Sequence, residues 1–98
     1  MTRRNFLLSS AAASSLATGA FRTVDLGAGG YGLAMSPDAA QLYVTVPDLG
    51  IVRIVSRTSG AVVGTLAVGQ RPRNVAFSRR GDYAVITDES GGKVFFIR

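Results

Sequence analysis

Six carboxylates and eleven cations are the only charged groups this chain of 98 residues can put to chemical use; it has no Cys and no His. Thiolate chemistry, Cys/His zinc sites and His-ligated haem or copper are therefore outside its own reach. So are the Ser-His and Cys-His nucleophilic sets. Asp88-Glu89 is the one adjacent acidic pair. It could offer oxygens to calcium, but such an ion takes about six to eight of them, so no metal site is expected. Asp38 and Asp82 stand among turn residues, where Asp is ordinary turn chemistry. Arg71, Arg73 and Asn74 fall within four residues, and guanidiniums held together can grip a carboxylate or phosphate. Gly27-x-Gly29-Gly30-x-Gly32 faintly resembles a nucleotide-binding loop. A dinucleotide fold needs a helix next, and Ser36-Pro37-Asp38 ends any helix at once. No catalytic set and no cofactor are expected.

The elements that must position these groups are strands. Val, Ile, Thr, Tyr and Phe recur in short runs between Gly, Pro, Asp and Ser clusters, the pattern of hairpins. A shift of 42 residues aligns the chain with itself without a gap from Thr23 onward. It pairs Thr23 with Thr65, Gly27 with Gly69, Ala34 with Ala76, Ser36 with Ser78, Thr45 with Thr87 and Gly50 with Gly92. Apolar residues fall on apolar ones between these matches. A single β-sandwich would not produce such an echo, whereas a period of about 40–45 with four strands fits a propeller blade. The strands are expected at Gly32–Ser36 and Asn74–Ser78 (A), Leu42–Val46 and Tyr83–Thr87 (B), Ile51–Val55 and Lys93–Ile97 (C), and Ala61–Val68 (D). Thr23–Gly27 matches Thr65–Gly69 and reads as the end of another D strand.

Ala34-Met35-Ser36-Pro37-Asp38 followed by Leu42-Tyr43-Val44-Thr45 resembles the core of YVTN repeats. Val75-Ala76-Phe77-Ser78 and the lead-in Val68-Gly69-Gln70-Arg71-Pro72 are similar to the same pattern. Val46 and Asp88 depart from it, since the family tends to have Asn there. The resemblance implies an all-β fold of two four-stranded β-propeller blade equivalents over residues 21–98, in the strand order D-ABCD-ABC. It implies that the D–A and B–C loops share one face, near the channel mouth where ligands sit. Tyr31, Arg71, Arg73, Asn74, Asp88 and Glu89 are then the candidate ligand-binding residues. Tyr31 occupies in the first repeat the place of Arg73 in the second. Phe77, Phe95 and Phe96 are expected in the core between blades rather than stacked on bases.

Thr2-Arg3-Arg4-Asn5-Phe6-Leu7 precedes an Ala- and Ser-rich run to Ala20, with no acidic residue before Asp25. Arg3 and Arg4 with Phe6-Leu7 resemble a twin-arginine export signal over residues 1–20. The 15 residues Phe6–Ala20 fall short of the about 20 that span a bilayer. The expectation is engagement of the export machinery, cleavage after Ala20, and a periplasmic or extracellular home. Eleven basic residues less Arg3 and Arg4 leave nine against six acidic ones. That excess is too mild to imply nucleic acid.

Two blades do not close a propeller, which takes about four to eight. The chain is expected to be a piece of a longer propeller, or else to form a ring of three or four copies. The expected role is a non-enzymatic binding or scaffold module for a small molecule or protein. The alternative is part of a propeller enzyme, lactonase-like or dehydrogenase-subunit-like, as YVTN-like rings also occur in such enzymes.

Overall fold

The computed structural model describes residues 22–98; the expected export signal, with Arg3 and Arg4, lies outside them. Seven strands follow in chain order: β1 Leu33–Met35, β2 Gln41–Val46, β3 Ile51–Ser56, β4 Val62–Ala67, β5 Pro72–Phe77, β6 Ala84–Asp88 and β7 Lys93–Ile97. A single 3₁₀ turn, Pro47–Leu49, joins β2 to β3. The strands form two antiparallel sheets, β1-β2-β3-β4 and β5-β6-β7, each built from sequence neighbours.

The 42-residue echo is kept in the ladders. Leu33 faces Val44 and Met35 faces Leu42, as Val75 faces Ile86 and Phe77 faces Ala84. Thr45 faces Val52 and Val46 faces Ile51, as Thr87 faces Val94 and Asp88 faces Lys93. The A–B turns repeat as well. The N–H of Ala39 donates to the Ser36 carbonyl, and that of Gly81 to the Ser78 carbonyl. Both turns place their last residue at positive φ, 60° for Ala39 and 79° for Gly81. Gly tolerates this; Ala39 carries a Cβ crowded by the carbonyl.

The two sheets stack face to face. Alternation along each strand sends Val52 of β3 and Val75, Ala84 and Ile86 of the second sheet into one buried cluster with Val68. Tyr43 and Phe77 meet across it edge to face, ring centres 4.7 Å apart at 84°, a favoured aromatic geometry. Phe95 packs against the same cluster. Phe96 does not. As the next residue it points to the opposite side of β7, where it is 68% exposed and touches Tyr83.

The seam is tightest where β1 begins. Thr45 is fully buried. Its Oγ1 accepts the Gly32 N–H at 2.7 Å and donates to the Arg73 carbonyl at 2.7 Å. One hydroxyl thus satisfies a polar group in each sheet.

Residues 22–27, expected to hold the end of a D strand, join no ladder among the described residues. They run instead along the outer side of the first sheet. The Arg53 Nε donates to the Leu26 carbonyl at 3.1 Å, and Arg22 Nη1 to the Thr58 carbonyl at 2.9 Å. β5 begins earlier than expected, at Pro72, through a bulge between Pro72 and Val75.

Candidate functional site

Two kinds of loop meet at the end of the sheets where β2 and β6 finish. One is the lead-in to each A strand, and the other is the B–C connection that follows each B strand. Together they gather Tyr31, Asp48, Arg71, Arg73 and Glu89. Arg71 Nη1 lies 2.9 Å from Asp48 Oδ1 and its Nε lies 3.7 Å from Glu89 Oε1. Arg73 Nη1 lies 2.9 Å from Glu89 Oε2. Its Nη2 donates to the Tyr31 hydroxyl oxygen at 2.6 Å, and the guanidinium carbon sits 4.5 Å from the Tyr31 ring centre. That distance is within cation–π reach.

The electrostatics follow from these partners. Arg71 is held still further above its already high range, first by its hydrogen bond to Asp48 and then by the charges of Asp48 and Glu89. Arg73 is raised first by the Tyr31 hydrogen bond and also by Glu89. Both guanidiniums are charged at any ordinary pH, and each already has a carboxylate partner. About half of each side chain stays open to solvent. A ligand anion therefore meets a nearly neutral rim and must compete with Asp48 or Glu89 for the arginines. Exposed pairs of this kind exchange partners at little cost.

Asp88 is used differently. It is buried, and its carboxylate faces the chain rather than the rim. Oδ1 accepts the N–H of Arg71 at 3.0 Å and of Ser90 at 3.2 Å. Oδ2 accepts the N–H of Gln70 at 3.2 Å. Gly69 makes room for it: a Cβ there would collide with Oδ2, and its φ of 64° suits glycine. Asp88 thus fixes the loop that carries Arg71 and Arg73. Its carboxylate is turned to the backbone of that loop, away from the arginine heads. Asn74 lies at the edge of the group. Its N–H donates to Thr87 Oγ1 at 3.1 Å, and the residue is exposed. Among the described residues, no three His, Cys, Asp or Glu side chains gather as a metal-holding group.

The Asp88 carboxyl is held below its ordinary value of 3.8, first by the Arg71 N–H, against a burial effect that raises it. A depressed carboxylate stabilises the fold above its unfolded pKa and loses that contribution as pH falls through the folded value. Stability anchored by Asp88 should therefore be intact near neutrality and fade below about pH 4. Amide exchange at Gln70, Arg71 and Ser90, corrected for intrinsic rates, should accelerate between pH 5 and pH 3. In Asp88→Asn the same amides should show no such step. A step of equal size in the variant would assign the effect to Asp38, which is also held low, first by the Ser36 hydroxyl.

Asp48 joins this group from the other sheet, and its role was not evident from the spacing alone. The signal available was its place in the B–C connection, equivalent to Ser90 beside Glu89.

No family model and no curated protein matches the chain. Among solved structures it is similar to dihydro-heme d1 dehydrogenase NirN in complex with DHE, with a TM-score of 0.61 and 25% identity over 68% of this chain. The chain spans 14% of the length of that protein, which is of the β-propeller type. All-strand composition, two hairpin-built antiparallel sheets stacked face to face and this likeness give one fold: the described residues are partial blades of a β-propeller.

Proposed function

We propose that the chain is part of an exported, non-enzymatic propeller of the YVTN-repeat kind that binds or scaffolds a small molecule or protein outside the cytoplasmic membrane. Export follows from the resemblance of Arg3-Arg4-Asn5-Phe6-Leu7 to a twin-arginine signal. The observation that carries the binding role is the meeting of Arg71, Arg73 and Tyr31 at one end of the two sheets. Cationic forks and an aromatic face there suit an anionic, partly apolar group. Asp48 and Glu89 hold the forks in place until such a group replaces them.

Calorimetry with citrate and inorganic phosphate tests this. Arg71→Glu with Arg73→Glu should weaken binding at least tenfold, while the thermal midpoint stays within a few degrees, since exposed pairs contribute little. Equal affinity in the doubly reversed variant would remove the site.

The name of the solved neighbour favours a second reading, part of a propeller enzyme. A dehydrogenase-subunit-like or lactonase-like ring would need a metal or cofactor. With no His and no Cys in the chain, the usual haem ligands would come from other blades. Stoichiometric metal by elemental analysis, or a visible absorption band in the purified protein, would favour this reading over the binder.

A further inference from the structure

Charge is unevenly divided between the two ends of the sheets. The end that carries Arg71 and Arg73 also has Lys93, and these face Asp48, Asp88 and Glu89, three cations for three carboxylates. Both of its arginines are paired. The opposite end is made of the two A–B turns and the C–D turn at residues 57–60. These turns touch. The Arg57 N–H donates to the Ala40 carbonyl and its Nε to the Ala39 carbonyl. A Cβ on Gly81 would lie 3.1 Å from Pro37 Cγ. Arg22 joins them, its side chain lying over Gly60 and its Nη1 donating to the Thr58 carbonyl.

Arg22, Arg57, Arg79 and Arg80 thus stand at one end, and all four are exposed. None of them forms an ion pair among the described residues, where the ion pairs are those of Arg71 and Arg73. The two carboxylates at this end, Asp38 and Asp82, offset them in part. Asp38 is turned into its own turn, where Oδ1 accepts the Ser36 hydroxyl at 2.6 Å and the Ala40 N–H at 2.9 Å. Blades of a propeller are set side by side around an axis, so a neighbouring blade covers a face of a sheet and leaves the ends of its strands open. This end stays accessible whatever flanks the two sheets.

What precedes Arg22 in the chain selects the partner. Residues 1–21 join the described residues at this end, and they carry Arg3, Arg4 and the apolar run of residues 6–20 with no carboxylate. Nucleic acid or an acidic peptide offers anions to the arginines but no place for an apolar run. A bilayer of anionic lipid offers both. Its phosphates take guanidinium forks, and its headgroup boundary takes apolar segments that do not span it. We propose that the end carrying Arg22, Arg57, Arg79 and Arg80 is a docking surface for an anionic lipid bilayer. Each basic residue held near such a surface strengthens binding about fivefold. Docked this way, the rim of Arg71 and Arg73 faces away from the membrane, and what it binds is a separate matter.

The test uses the full 98-residue chain and vesicles of phosphatidylglycerol with phosphatidylethanolamine. Phosphatidylcholine vesicles give the comparison without net charge. Co-flotation should show at least tenfold tighter binding to the anionic vesicles, weakening as salt rises from about 0.15 M to about 0.5 M. Arg79→Glu with Arg80→Glu falls on exposed turn residues, so the circular dichroism should not change, yet affinity for the anionic vesicles should drop at least tenfold. Arg71→Glu with Arg73→Glu makes the same change in net charge at the far end. The six residues of β2 separate the ends by about 20 Å, beyond the screening length of about 8 Å, so this variant should bind the vesicles within about twofold of the unaltered chain. Equal losses in the two variants would make net charge the cause. Undiminished binding after Arg79→Glu with Arg80→Glu would make the apolar run sufficient. Either result overturns the inference, as does binding of single-stranded DNA as tight as that of the anionic vesicles.

Discussion

Gly32→Ala should separate the two sheets where they come closest and destabilise the protein by about 3 kcal/mol, the upper range for forcing a methyl group into a packed site. A Cβ at Gly32 would run into the Arg73 carbonyl oxygen, a backbone atom that cannot swing aside, and would press on the Asn74 Cα and Thr45 Oγ1, each at 3.1 Å. Relief requires β1 to move away from β5. That movement breaks the Thr45 hydrogen bond to the Arg73 carbonyl, which crosses between the sheets, and opens the cluster around Tyr43 and Phe77. Gly29→Ala is the matched control. It lies in the same lead-in, has nothing within 4 Å of its would-be Cβ and has no positive φ, so the change should be nearly neutral. Urea unfolding at a fixed protein concentration separates the two. A Gly32→Ala loss under about 1 kcal/mol would mean that the sheets are not held this close in solution.

Thr45→Val should cost about 2–3 kcal/mol although it keeps the shape of the side chain. The new methyl group fits where the hydroxyl stood, but the Gly32 N–H and the Arg73 carbonyl are left buried without their partner. Thr87 is the same residue one repeat later. Among the described residues its Oγ1 accepts only the Asn74 N–H, at 3.1 Å, and it lies half-buried on the side turned away from the first sheet, where water can replace it. Thr87→Val should therefore cost under about 1 kcal/mol. Thr45→Ser keeps the hydroxyl and should recover most of the loss. Equal losses at the two threonines would remove the special role of the seam.

The contrast between these threonines marks what could and could not be read in advance. Ladder register was legible, because residues such as Leu33 and Val75 keep their phase in a gapless echo and alternation does the rest. So was the end at which Tyr31, Arg71, Arg73 and Glu89 gather, once the strands were ordered as blades. The job of Asp88 was not. Its equivalent is Val46, so the repeat carries no hint that a carboxylate here is turned inward to hold Gln70, Arg71 and Ser90. The pairing of Asp48 with Arg71 crosses between sheets and depends on how one is rotated on the other, which spacing along a chain does not encode. Phe95 and Phe96 face opposite ways on β7, so Phe95 meets the first sheet and Phe96 lies on the face turned away from it.

Strand order sets the time course of assembly. Every ladder joins consecutive strands, so each sheet can form by hairpins that close in about 1–10 μs. Tyr43 with Phe77 and Thr45 with Arg73 join one sheet to the other rather than neighbours within a hairpin, so they are expected to form after the hairpins. Contacts made after the rate-limiting barrier leave the folding rate almost unchanged when they are weakened and appear in the unfolding rate instead. The Gly32–Thr45–Arg73 seam is thus expected to act as the clasp that sets how long the folded pair survives between openings, with Thr45→Val raising the unfolding rate and leaving the folding rate nearly unchanged.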